Sequence, residues 1–220
     1  SQRPDAWVVG EPLTLPADTP HHLFNALERS AQRYAERGIT LHDDQRVSTH
    51  YRYADLVEDA RRVATALGKA GLQPGSILLL QMRYDQRFFA VWWGALLFGL
   101  KPLNVATPDQ YNERNGVAQK LYNVAHNYDN LTVAADRVRL EDTRAWLGQR
   151  KPVIDADNLL QETERFDGAP GNDPVAFLQL TSGSTGTPKA IQITHHGILH
   201  HIAASALHND YSADDINLNW

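Results

Sequence analysis

Apolar residues fall at helical spacing from the first part of the chain onward. Leu23, Leu27, Ala31 and Tyr34 share one stripe, with Thr19 before Pro20 as the expected N-cap and an end near Gly38. Leu56, Val57, Ala60, Val63, Ala64 and Leu67 repeat the pattern between Tyr53 and Ala70, and Gly71 supplies the stop. A strand over 76–82 follows. Arg87 to Leu100 is apolar nearly all round, which predicts a helix buried between a sheet and its neighbours, with Trp92 and Trp93 in the core rather than in a ligand site. Beyond it the pattern predicts helices over Gly116–Asn127 and Glu141–Gly148 and strands over Leu131–Ala135 and Pro152–Ile154. Two further strands, Val175–Leu180 and Ala190–Ile193, bracket a short polar stretch. Helix and strand alternate, so the fold class is α/β, with a largely parallel sheet flanked by helices. Ser1 to Pro20 is proline-rich and aperiodic, and positions 1–19 read as a leader or linker. Glu162 to Pro174, rich in Asp, Gly, Pro and Asn, reads as a mobile surface loop. There is no internal repeat.

Composition narrows the function classes. The 21 basic and 26 acidic side chains give a formal net charge of −5, and no Lys/Arg run offers a nucleic-acid footprint. With no cysteine there is no disulfide, thiol nucleophile or Cys-ligated metal, which suits a reducing compartment; a cytoplasmic location is expected. The longest apolar run, around Phe88 to Leu100, is far short of the ~18 to 20 residues a membrane span needs, and the N-terminus carries no signal-peptide core. His196 and His200 stand four apart, as metal ligands on a helix do, but no H-E-x-x-H and no nearby carboxylate accompanies them. No metal site is expected there.

The chemistry concentrates between the last two strands. Thr181-Ser182-Gly183-Ser184-Thr185-Gly186-Thr187-Pro188-Lys189 combines hydroxyl donors, glycines that let backbone amides approach an anion, and a lysine that can swing onto a polyphosphate. An ordinary flexible Gly/Ser/Thr connection is the bland reading. The P-loop pattern G-x-x-x-x-G-K-[ST] fails, because Thr187 and Pro188 stand between Gly186 and Lys189.

The string T-S-G-S-T-G-T-P-K resembles the phosphate-loop signature of the adenylate-forming (ANL) superfamily of acyl-CoA synthetases, luciferases and peptide-synthetase adenylation domains. The likeness extends to Tyr51-Arg-Tyr-Ala-Asp-Leu56, to Gly71-Leu-Gln-Pro-Gly75 with Ser76–Leu80, and to Trp92–Gly99 with the turn Lys101-Pro-Leu-Asn104, over residues 20 to 220. Ala190 replaces a usual glycine and Arg52 a usual Thr or Ser; neither removes a phosphate ligand. Thr194 and His195 match a Thr-His pair of the family, a support near the nucleotide. The resemblance implies that residues 20–220 are the N-terminal part of an adenylation domain, an incomplete part of the large N-terminal domain. They stop before the acyl-pocket motif and lack the small C-terminal domain with its catalytic lysine. Some strands would then lack partners, so the first ~50 residues are expected to be poorly fixed or to pack onto another molecule.

For function, the resemblance implies an ATP-dependent carboxylate-activating ligase. An acyl-adenylate forms with Mg²⁺ as escort, and the acyl group passes to the phosphopantetheine thiol of a carrier protein, or to CoA. Thr181, Ser182, Ser184, Thr185, Thr187 and Lys189 are the phosphate-binding candidates, with Gly183 and Gly186 shaping the backbone and Lys189 as the clamp. The partners implied are a carboxylic acid, a carrier protein or neighbouring assembly-line domains, and the remainder of the adenylation domain. Residues 92–102 and the stretch entering the loop lean toward a nonribosomal peptide synthetase of loading or fatty-acyl type. A fragment of a stand-alone acyl-CoA or fatty-acyl-AMP ligase is the alternative, and a non-catalytic architectural segment is the third reading. The 220-residue piece alone is expected not to turn over.

Overall fold

The structure, a computed structural model, describes residues 10, 12–43, 45–149, 151–181 and 189–218. The chain begins with helix α1 (Leu23–Arg33), a hairpin of β1 (Gly38–His42) and β2 (Ser48–Arg52), and helix α2 (Tyr53–Lys69). Strand β3 (Ile77–Gln81), helix α3 (Gln86–Phe98), strand β4 (Lys101–Asn104), helix α4 (Gly116–His126), strand β5 (Leu131–Ala135), helix α5 (Leu140–Leu147), strand β6 (Val153–Asp155) and helix α6 (Ala156–Leu159) follow. Strands β7 (Val175–Leu180) and β8 (Ala190–Thr194) and helix α7 (His195–His208) complete it.

Six strands form one sheet in the order β6-β5-β3-β4-β7-β8. All neighbours are parallel except β7 and β8, whose antiparallel register pairs Leu180 with Ala190 and Val175 with Thr194. The expected largely parallel sheet is present. Its central strand shows why the sequence reads as continuously apolar: β3 is covered on both faces. Leu78 and Leu80 pack with Val63, Leu67 and Val91 of α2 and α3. Ile77 and Leu79 pack with Leu121, Val133 and Leu147 on the α4/α5 side.

Most predicted elements lie within a residue or two of their expected bounds, and the differences have local causes. Lys101–Asn104, expected as a turn, is a strand, because it pairs with β3 on one side and β7 on the other. The cap of α1 is His22, whose ring accepts the Phe24 N–H, while the Thr19 hydroxyl bonds the Pro16 carbonyl instead. Nor is α1 loosely held: Phe24 is fully buried and packs with Leu56, Ala60 and Leu97 of α2 and α3. The segment 162–174 is strapped to α2. Arg61 bonds the Phe166 carbonyl at 2.6 Å, the Phe166 N–H returns to the Arg61 carbonyl at 3.2 Å, and Lys69 pairs with Glu162 and Glu164. Trp92 and Trp93 are half-buried; Trp92 stacks on Phe88 and leans on Phe177, joining α3 to β7.

Candidate active site

The two ends of the 182–188 segment are held by β7 and β8. Their short apolar sequences pair antiparallel, and the last rung before the loop is formed by Thr181 and Lys189. The Thr181 N–H donates to the Lys189 carbonyl at 2.9 Å, and the Thr181 hydroxyl points to the same oxygen at 3.3 Å. The loop's two feet are thereby clamped, and the exposed side chain of Lys189 stands at its exit. Of the predicted site residues, the structure describes these two. Ser182, Gly183, Ser184, Thr185, Gly186 and Thr187 lie outside the described residues.

The location fits ligand chemistry. β7 runs parallel to β4, with Leu178 level with Leu103, so Thr181 lies at the edge where the parallel strands end. In open α/β sheets ligands bind outside the carboxyl ends of the strands, where the strand order reverses. Here β4 follows β3 on one side and β5 returns to its other side. That edge is polar and ordered by its own bonds. Gln81, fully buried, donates to the Val105 carbonyl at 2.7 Å. Asp136, 2% exposed, accepts from the Arg83 N–H at 3.0 Å and pairs with Arg139 at 2.5 Å. Asn104 bonds the Tyr84 hydroxyl.

His195 sits elsewhere than the resemblance suggested. It opens α7 at the opposite end of β8, where its N–H meets the Pro174 carbonyl. It lies six positions along extended chain from Lys189, about 20 Å. Thr194 caps α7 by accepting the Gly197 N–H, and the His195 ring accepts the Leu23 N–H at 3.2 Å. The pair is structural, at the foot of the hairpin rather than near the loop. Burial lowers the His195 pKa, opposed by Asp173 nearby. Burial and the neighbouring His195 pull His22 down to about 4. Its partnership with His195 left no sequence signal, since the two meet only through the packing of α1 on α7. His196 and His200 stack at 3.7 Å, with His200 Nδ1 on the His196 carbonyl. Among the described residues no three His, Cys, Asp or Glu side chains converge as metal ligands, and no helix is long and apolar enough to cross a membrane.

The mostly parallel sheet flanked by helices defines an α/β class, with Thr181 and Lys189 at its carboxyl edge. Residues 27–220 match the family model described as AMP-binding enzyme, and the chain belongs to that family. It is 29% identical over 217 residues to nonribosomal peptide synthetase acyN of Ascocoryne sarcoides, covering 90% of this chain and 22% of that protein. It is 30% identical over 197 residues to pyochelin synthase PchD of Pseudomonas aeruginosa, covering 82% of this chain and 34% of the relative. The solved structure of McyG A-PCP complexed with phenylalanyl-adenylate superposes with a TM-score of 0.79 at 27% identity, over 86% of this chain and 31% of that one. The adenylation domain of a keto acid-selecting NRPS module bound to keto acyl adenylate shares the fold, with a TM-score of 0.82 at 24% identity, over 92% of this chain and 37% of that one. The chain therefore spans about a fifth to a third of the length of the curated relatives named here.

Proposed function

We propose that this chain is the N-terminal part of an adenylation domain of a peptide-synthetase-type assembly line, and that it carries the phosphate grip for ATP-dependent carboxylate activation. The observation that supports this most is the clamped hairpin. Thr181 and Lys189 hold the two feet of a hydroxyl- and glycine-rich loop at the carboxyl edge of the sheet, with a lysine charge at its exit. The substrate would be ATP accompanied by Mg²⁺. A carboxylate oxygen attacks the α-phosphorus, the bond to the bridging oxygen of the β-phosphate breaks, and pyrophosphate leaves with that electron pair. Lys189 and the loop hydroxyls would hold the β- and γ-phosphates as charge develops on them. Their part is positioning and charge stabilisation. The acyl group would then pass from the adenylate to a carrier-protein phosphopantetheine thiol, with AMP released.

The relatives' assembly-line character and the A-PCP neighbour favour a carrier protein over CoA as acceptor. An amino, keto or related acid is the substrate class that the neighbours' ligands suggest.

The test is acid-dependent ATP–pyrophosphate exchange on the longest natural chain containing residues 1–220, with amino, keto, hydroxy, aryl and fatty acids. Exchange with one acid class establishes adenylation. A folded chain that exchanges with none and binds no ATP refutes it and favours an architectural role.

A further inference from the structure

Strand β3 reads Ile77-Leu78-Leu79-Leu80-Gln81, buried throughout, and its one polar residue is its last. By alternation Gln81 shares a face with Ile77 and Leu79, the face covered by the cluster on the α4/α5 side. It is 0% exposed. Its Nε2 donates to the Leu80 carbonyl at 3.1 Å and across to the Val105 carbonyl at 2.7 Å. Only a donor can face two carbonyls, so the orientation of the amide follows from its bonds. Among the described residues the other amide atom, Oε1, has no hydrogen-bond partner.

A glutamine here works against stability. A buried oxygen without a partner carries a desolvation penalty, and an apolar side chain of the same length would fill the space without it. Residues that break the local rule in this way concentrate where they have a task, and each unsatisfied group calls for a cause. The task shows in what the amide holds. The β3–β4 ladder ends with Leu80 opposite Asn104, so Val105 lies one residue beyond it, and the Gln81 amide continues the pairing from a side chain.

Val105 leads to the candidate site. Strands β4 and β7 are parallel with Leu103 level with Leu178, which puts Val105 level with Leu180, the residue before Thr181. Leu180 and its cross-strand partner Ala190 both pack against the cluster that contains Val105. These two residues adjoin Thr181 and Lys189, which are joined by their backbone bond. We propose that Gln81 is a positioning residue for the phosphate grip: by holding the Val105 carbonyl it fixes the exit of β4, against which Leu180 and Ala190, and through them Thr181 and Lys189, are set. The inference rests on the adenylation reading given above. Gln81 acts indirectly, through the main chain of Val105.

Gln81→Met in the longest natural chain tests it, because methionine keeps the length and the apolar stem but has neither the donor nor the unpaired oxygen. Acid-dependent ATP–pyrophosphate exchange and urea unfolding are measured side by side. The expected result is a urea midpoint at or above that of wild type, kcat/KM for ATP lower by about ten- to a hundredfold, and KM for the acid unchanged. A merely structural glutamine would move the urea midpoint and leave the kinetics of the folded chain alone. Wild-type kinetics in a folded Gln81→Met chain therefore overturn the proposal, as does a loss in which KM for the acid rises as much as KM for ATP. Should the variant fail to fold, hydrogen exchange on the wild-type chain decides. Mg²⁺-ATP should slow exchange over 105–107 together with 178–181, and protection of 178–181 without 105–107 overturns the proposal. A wild-type chain that neither exchanges pyrophosphate nor binds ATP overturns the adenylation reading and this inference with it, whereas an active wild type beside an equally active variant overturns this inference alone.

Discussion

Thr181 and Lys189 face one another at the two ends of the 182–188 segment, with the Thr181 N–H donating to the Lys189 carbonyl at 2.9 Å. The main chain of Lys189 is therefore fixed while its side chain stays exposed. Lys189→Ala should lower acid-dependent pyrophosphate exchange by roughly 10²- to 10³-fold, the usual cost of removing one preorganised charge-stabilising donor. Because the side chain is exposed, stability should change by less than about 0.5 kcal/mol. Exchange rates and urea midpoints measured side by side check both halves. A large loss of stability would mean that Lys189 supports the hairpin rather than the phosphates.

Gly94 marks the tightest crossing in the core. A Cβ built there would lie 2.6 Å from Val63 Cγ1 and 2.9 Å from the Ala60 carbonyl oxygen, so α2 and α3 touch backbone to side chain. Gly94→Ala should cost about 1 to 3 kcal/mol by overpacking, despite the better helix propensity of alanine. Adding Val63→Ala should recover only part of that loss, because the Ala60 carbonyl cannot retreat. Urea unfolding of the single and double variants reads this directly, and additive costs would show that the two sites are uncoupled.

The elements that periodicity revealed were those buried on a face of fixed spacing. β5 and β7 were legible to the residue, since each is a short apolar run with clear breaks. Lys101–Asn104 was not, because a strand containing Pro102 looks like a turn until its pairing with β3 and β7 is known. The hairpin of β1 and β2 left still less trace: most of β2 is exposed, so no alternation betrays it. At the site, the loop chemistry was plain in the residue types, and the structure added the clamp at its feet. His22 beside His195 was out of reach, because neither residue is near the other in sequence and a lone histidine carries no pattern.

Arg61 fastens the 162–174 strap. Its guanidinium bonds the Phe166 carbonyl at 2.6 Å, pairs with Glu28 of α1 and lies over the Phe24 ring at 5.5 Å. Removing it strands a partly buried carboxylate and a carbonyl, so Arg61→Ala should cost roughly 2 kcal/mol. The strap should open before the sheet does. Limited trypsinolysis at Arg165 is expected to accelerate in the variant under native conditions, and an unchanged cleavage rate would show that Lys69 with Glu162 and Glu164 suffices to hold the segment.

Stability should fall on acidification through the imidazole pair. Burial and His195 pull His22 down to about 4 from the ordinary 6.5, so the unfolded chain binds more protons than the folded one between those values. The neutral ring's contribution is fully present above about pH 6.5, declines as pH falls, and is lost by about pH 4. His195, also lowered by burial, acts in the same direction. The protonated ring would forfeit the Phe24 N–H bond and place a cation at the positive end of α1. His22→Asn keeps a cap acceptor but does not titrate. The stability difference between wild type and this variant should shrink in the wild type's disfavour by roughly 2 kcal/mol between pH 7 and pH 4.5. Thermal unfolding of both chains across that range measures it, and parallel pH profiles would show that His22 is not the titrating group.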